Sequence, residues 1–305
     1  MRVLLAGATG AIGRPLTTAL QEAGHEVVAL TRHLARAAAM GQDVTPLVAD
    51  ALDRDALLRA ADGLRVDAVV HQLTALQKPP VRHSGMTLTN TLRTTGTRNL
   101  LELAAATGAT RFVTQSIVFG YGYTDHGQHE LTEDAPFGQP DNGRTAPHVR
   151  AMGINERLVL EHPDLEGMAL RYGLFHGGDD LADMLRARKV PVPRGGGDLG
   201  WIHLDDAVTA TVAALEKGSA GSAYNIVDDE PASWRTVMTE LAKGYGAPAP
   251  RTLPTWLFRL AAPYAAAVAL DTSLHVSNAK ARRELGWAPA HPSARPDTPA
   301  IPCRR

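Results

Sequence analysis

The chain has 305 residues, a formal net charge of −1, 44% hydrophobic and 21% charged residues. That near-neutral balance offers no electrostatic footprint for nucleic acid or an anionic membrane surface. The single cysteine, Cys303, excludes an intrachain disulfide and a cysteine-built metal site.

The elements begin at once. Residues 3–6 form an apolar run that predicts a strand, and 13–23 have helical spacing. A turn at Gly24-His25 leads to a second strand at 26–30. Short apolar runs at 68–72, 111–115 and 168–171 predict further central strands, with helical patterns at 90–106 and 151–161 between them. Strands alternating with helices predict an α/β fold, a Rossmann-like doubly wound parallel sheet. Past Tyr172 the texture changes: Gly and Pro punctuate 177–200, helices are expected at 205–217, 233–244 and 277–285, and a late strand at 223–227. The expected organisation is a dinucleotide-binding domain over 1–172 joined by 205–230, a smaller substrate lobe from 173–204 and 231–290, and a proline-rich tail over 291–305. The apolar stretch 256–270 carries Arg259 and Pro263 and is too short to span a bilayer, and no leader-like segment precedes the first strand. A cytoplasmic protein with no membrane partner is expected.

Gly7-Ala8-Thr9-Gly10-Ala11-Ile12-Gly13 links the first strand to the first helix. Such glycines allow a tight turn, close approach of backbone N–H groups to a pyrophosphate, and close helix–strand packing. NAD-binding versions place a carboxylate at the end of the second strand, where it meets the ribose 2′-hydroxyl. Here Thr31 is followed by Arg32, with Arg36 one helical turn on. Guanidinium groups grip a 2′-phosphate, so NADPH is the expected cofactor; the alternative is a solvated arginine at a helix start.

Together these residues resemble the extended and atypical short-chain dehydrogenase/reductase superfamily, in its epimerase/dehydratase branch. The resemblance covers about residues 1–290. It is carried by Gly7-x-x-Gly10-x-x-Gly13, Val48-Ala49-Asp50, Val69-Val70-His71-Gln72, Asn90, Phe112-Val113-Thr114-Gln115-Ser116 and Leu170-Arg171-Tyr172-Gly173. Trp201-Ile202-His203-Leu204-Asp205-Asp206 and Leu285-Gly286-Trp287-x-Pro289 complete it. It implies that Asp50 and Ala51 meet the adenine, that Leu73, Thr74 and Gln115 lie along the cofactor, and that Tyr172 and Gly173 face the nicotinamide carboxamide. For Asp50, a helix cap before 53–60 is the alternative.

The family's Tyr-x-x-x-Lys pair, which exchanges the proton with the substrate oxygen, is missing. The five lysines stand at 78, 189, 217, 243 and 280, and none has a tyrosine four residues before it. Counting back from Glu156 puts His148 in the tyrosine slot and Met152 in the lysine slot. The serine slot falls on Gln115, with Ser116 beside it. Candidate acids are therefore Ser116, Tyr121 and His148, with Tyr123 and ordered water as further sources. For His148 the alternative is an exposed cap, and for Ser116 a hydroxyl satisfied by backbone. Ser116, Tyr121, Met152, Trp201 and His203 are candidate substrate contacts, with a core role the alternative for Trp201. His126 and His129 read as part of a polar loop, so no metal is expected.

Hydride transfer needs only the cofactor carbon held against an acceptor, but a ketone's developing alkoxide must be stabilised or protonated. A phenol peri to the ketone supplies that proton from the substrate. The pattern thus resembles the atypical ketoreductases of bacterial angucyclinone pathways, implying an NADPH-dependent, substrate-assisted reductase of a polycyclic aromatic ketone. Alternatives are a non-catalytic NADP(H) sensor or scaffold, and a nucleotide-sugar epimerase or dehydratase. A homodimer is compatible with the family.

Overall fold

The structure is a computed structural model and describes residues 1–35, 43–76 and 79–293. Arg36, Cys303 and most of the proline-rich tail lie outside the described residues. Seven parallel strands form the central sheet: β1 (Arg2–Ala6), β2 (Glu26–Thr31), β3 (Val44–Val48), β4 (Ala68–His71), β5 (Arg111–Ile117), β6 (Glu166–Tyr172) and β7 (Ser222–Ile226). Their order is β7-β6-β5-β4-β1-β2-β3, with Val3 opposite both Val27 and Ala68. The doubly wound α/β fold is therefore as the alternation of elements required.

Strands covered on both faces need continuous apolar runs, and β1 and β4 supply them, with Val3, Leu4, Leu5, Val69 and Val70 fully buried. The edge strand β3 tolerates Pro46, which has no N–H to donate, because it pairs only with β2. One face packs on α1 (Gly13–Glu22) and α5 (Leu204–Lys217). The other packs on α2 (Arg54–Ala60), the helical run Thr87–Thr107 (α3) and α4 (Ala146–Leu160). Within α3, residues Leu92–Gly96 form a π turn.

A separate apolar cluster, with Val118, Phe119, Met152, Trp201, Val237, Met238 and Tyr264, lies beyond the ends of β5 and β6. Three local expectations change. Residues 125–131, read as a loop, form the strand Asp125–Leu131, which pairs in parallel with Ser273–Val276. The apolar stretch 256–270 is two helices, Thr255–Ala261 and Pro263–Leu270, because Pro263 cannot continue the first. The helical spacing of Trp256, Leu257, Leu260 and Tyr264 reads as core or the wall of an apolar pocket, but Trp256 and Leu260 are 68% and 74% exposed. Among the described residues no helix is long and apolar enough to cross a membrane.

Candidate active site

The strand order reverses between β1 and β4, and ligands of such sheets bind in the crevice outside the carboxyl ends at that point. The glycine turn is built for this place. Gly7 has φ +99°, and a Cβ on it would meet the Gln72 carbonyl oxygen at 2.7 Å. A Cβ on Gly13 would lie 2.0 Å from the Gly7 oxygen, so the helix can start here only as glycine. Gly10 is different: it is exposed, and its Cβ would meet only the Gly7 oxygen, at 3.2 Å. The space it leaves faces outward, with Thr9 half-buried and Ala11 exposed beside it, while Ile12 is buried beneath.

No side chain caps α1, and no acidic residue stands in its first turn. Arg14 N already donates to the Gly10 carbonyl at 3.2 Å and Pro15 has no N–H, so an anion such as a dinucleotide pyrophosphate would meet the backbone ahead of Arg14 and the positive end of the helix. Arg32 is exposed and 3.9 Å from the Asp50 carboxylate. Asp50 does not cap α2. Its Oδ1 accepts from Leu52 N at 2.9 Å, and Asp53 is the cap, accepting from Ala56 N at 3.0 Å. Buried Ala51 is tied by its carbonyl to the Asn99 amide at 2.8 Å.

After β4, Leu73 and Thr74 lie on the same sheet edge, half-buried and exposed respectively. The Gln115 side chain donates to the Leu73 carbonyl at 2.7 Å, so it braces this loop from beneath. Tyr172 corrects the resemblance. Its ring is fully buried against α5, with its hydroxyl 2.7 Å from Thr211 Oγ1 and accepting from Gln72 Nε2 at 2.9 Å. Burial pushes its phenol up to about 12, and only the backbone around Gly173 is left to meet a carboxamide.

The residues that counting back from Glu156 puts in the tyrosine and lysine slots are equally specific. Met152 is fully buried among Val118, Phe119 and Val149, which makes it core and not a substrate contact. His148 is 3% exposed, so it is neither a solvated cap nor a free acid. Asn90 Nδ2 donates to its Nδ1 at 2.9 Å, and its Nε2–H is directed at His83 Nδ1, 3.1 Å away. Burial, then the neighbouring His83 and Arg93, push His148 down to about 4, so it is neutral at physiological pH.

Tyr121 is also corrected: its hydroxyl accepts from Arg171 Nη1 at 2.9 Å and lies 2.8 Å from Asn225 Oδ1. Burial pushes this phenol up to about 12, and it braces the Arg171 network instead of meeting a substrate. Trp201 is 1% exposed and donates to the Ala232 carbonyl at 2.8 Å, a core position. His203 caps α5, accepting from Asp205 N at 3.2 Å, and its ring stacks on His291 at 4.5 Å. Ser116 Oγ, however, is buried without a protein partner, so the backbone-satisfied reading fails.

Of four further contributors, only Tyr264 has a reading in the sequence, as core or as the wall of an apolar pocket. Fully buried Asn155 donates to the Gln115 carbonyl at 2.8 Å, and its Oδ1 accepts from Thr114 at 3.0 Å, which fixes α4 against β5. His83 stacks on His148 with ring centroids 5.4 Å apart. Tyr264 shares a 2.9 Å hydroxyl contact with Tyr123. Arg93, on the π turn, is 3% exposed. Two hollows flank the histidine pair, one of 480 Å³ lined by Asn90, Thr94, His148 and Ile154, the other of 340 Å³ lined by Tyr123, Pro263 and Asp271. His83 and the exposed Arg144 border both.

A doubly wound sheet, a glycine turn at its switch point and an uncapped helix start define an NAD(P)-dependent oxidoreductase. The chain belongs to the NAD dependent epimerase/dehydratase family, whose model matches residues 3–227. It is 44% identical to a 3-diazoavenalumate denitrifying reductase of a Streptomyces species, over 97% of this chain and 98% of the relative. It is 30% identical to a 2-alkyl-3-oxoalkanoate reductase of Stenotrophomonas maltophilia, over 81% and 77% of the two chains. In fold it is similar to the Thermus thermophilus UDP-glucose 4-epimerase in complex with NAD, with a TM-score of 0.76, 22% identity and 96% of each chain covered.

Proposed function

We propose that this protein is an NADPH-dependent reductase of a small aromatic acceptor whose reduction takes no proton from a protein side chain. The observation that carries the reading is the state of the acid–base positions. Met152 is core, and the one ring proton of His148 is directed at His83.

When bound, the reduced nicotinamide supplies a hydride. The chain's residues would hold that cofactor through the Gly7–Gly13 turn and the start of α1, and the exposed Arg32 is the reason to favour a 2′-phosphate. Ser116 offers a hydroxyl to the acceptor, and Tyr123 and the stacked His83 and His148 supply aromatic lining to the hollows. An aromatic diazo carbon is an acceptor of the required kind. An aryl diazonium that takes a hydride forms a C–H bond, breaks its C–N bond and releases dinitrogen, without an alkoxide to protonate. The full-length similarity to a denitrifying reductase of a diazo compound supports this substrate class.

A second reading is favoured by the free Ser116 hydroxyl, which suits a ketone oxygen. In it the acceptor is a polycyclic aromatic ketone whose peri phenol supplies the proton, as for a ketoreductase of the angucyclinone type, the simocyclinone pathway's included. The deciding experiment uses NADPH deuterated at the transferable position, offered with a hydroxylated aryl diazo acid and with peri-hydroxylated ketones. Deuterium on the ring carbon that lost nitrogen, with one dinitrogen released per NADPH, is the expected result. Deuterium only on a carbinol carbon establishes the ketone reading, and oxidation with neither substrate refutes both.

A further inference from the structure

Among the described residues two arginines are buried, in very different ways. Arg171 is 5% exposed and is fully partnered. Its Nε meets both Glu156 oxygens at 3.1 Å, its Nη2 donates to Oε2 at 2.8 Å, and Nη1 donates to Tyr121 and to the Glu133 carbonyl. Arg93 is 3% exposed, yet its Nε and Nη1 are buried without any acceptor. No carboxylate among the described residues pairs with it.

An arginine left so is strongly disfavoured, because a buried cation without a counter-ion has lost its hydration and gained nothing in return. Its surroundings do not compensate. The charge is felt by buried His71, His148 and Tyr264 and by half-buried Tyr123, and the histidines are held neutral while the phenols stay protonated. It also stands on a π turn, an insertion that recurs at functional sites. His71 hydrogen-bonds both Thr97 and the Leu92 carbonyl of that turn, which secures the backbone there. The exposed Arg144 at the shared rim of the two hollows adds a second positive charge on the way in.

We propose that Arg93 is the anchor for the carboxylate of an aromatic acid substrate, whose ring enters from the hollow lined by His83, Tyr123 and Pro263. The carboxylate takes the part for Arg93 that Glu156 takes for Arg171, forking across one guanidinium edge, either Nε with Nη2 or Nη1 with Nη2, and so meeting one of the two unpartnered nitrogens directly. This rests on the reductase reading above for its aromatic acceptor and adds the charge that acceptor carries.

The test is a binding measurement, so that it stands apart from hydride transfer. The full chain, saturated with NADP⁺, is titrated calorimetrically with 4-hydroxycinnamate, and with its methyl ester and amide. The acid is expected to bind at least about 30-fold tighter than the neutral analogues. Arg93→Met should remove that preference, and Arg93→Lys should retain part of it as a point charge without the fork. In the absence of ligand, Arg93→Met should melt at or above the wild-type temperature, since it removes an unpaired buried charge. Equal binding of acid and ester, or no binding of either, overturns the proposal. So does an Arg93→Met protein that melts lower and is restored by Arg93→Lys, which marks a structural cation. Acid-selective binding without any reduction of an aryl diazo acid or a ketone would instead leave the anchor standing and defeat the reaction.

Discussion

Replacing Gly10 by alanine separates cofactor binding from folding in a way the neighbouring glycines cannot. Gly10 has no positive φ, so alanine is conformationally allowed there, and the added methyl meets only the Gly7 carbonyl, at 3.2 Å. That contact asks for a shift of a few tenths of an ångström, while alanine reduces unfolded-chain entropy by an amount worth ~0.4–1 kcal/mol. The net change in stability should therefore stay within about 1 kcal/mol. The methyl nonetheless occupies the open side of the turn, where a pyrophosphate must approach the backbone. Losing one or two hydrogen bonds to a charged group, at ~1.5–3 kcal/mol each, weakens NADPH binding by at least about tenfold. Gly13→Ala must behave differently, because its Cβ would lie 2.0 Å from a backbone oxygen, and it should lose both binding and stability. Fluorescence titration with NADPH and thermal melting of the two variants give the comparison. A Gly10→Ala protein that binds NADPH as wild type does would refute the placement of the pyrophosphate at this turn.

Glu156→Gln leaves Arg171 buried without its counter-ion and should destabilise the protein by ~3–5 kcal/mol, read as a lower denaturant midpoint. A loss under about 1 kcal/mol would mean that the pair adds little to folding. Arg32→Ala should weaken NADPH by about tenfold while leaving NADH nearly unchanged, measured as the ratio of dissociation constants; an unchanged ratio removes Arg32 from the cofactor contacts. Burial first of all holds fully buried His71 down to about 4, against 6.5 in an unfolded chain. The unfolded state then binds the extra proton between those values, so stability is fully present above the unfolded value and falls as pH drops toward 4. Up to about 3 kcal/mol is at stake on that titration. Chemical denaturation at pH 7.5 and pH 5 should show the loss, and His71→Gln should reduce the slope, leaving the part that buried His148 and His176 contribute; a wild-type curve without slope contradicts the buried neutral imidazole.

Much of this protein was legible in its residues because the signals are local. Apolar runs of strand length alternating with helical spacing dictate a parallel doubly wound sheet, and the Gly7–Gly13 turn marks where a dinucleotide meets it. The missing Tyr-x-x-x-Lys pair is likewise a plain reading of spacing, and it removes the usual proton donor without any coordinates. Side-chain direction is another matter, because it depends on what packs against each residue from distant parts of the chain. Tyr121, Tyr172 and Trp201 have the right types and the right order for site residues, yet α5, Arg171 and the Ala232 carbonyl claim their polar atoms. His148 shows the same limit: only its contact with His83, 65 positions away, and its burial turn an ordinary imidazole into a neutral one. Arg93 reads in the sequence as one charge on a helix. That it is buried without a counter-ion is a property of the assembled interior, where desolvation and the absence of a facing carboxylate arise together.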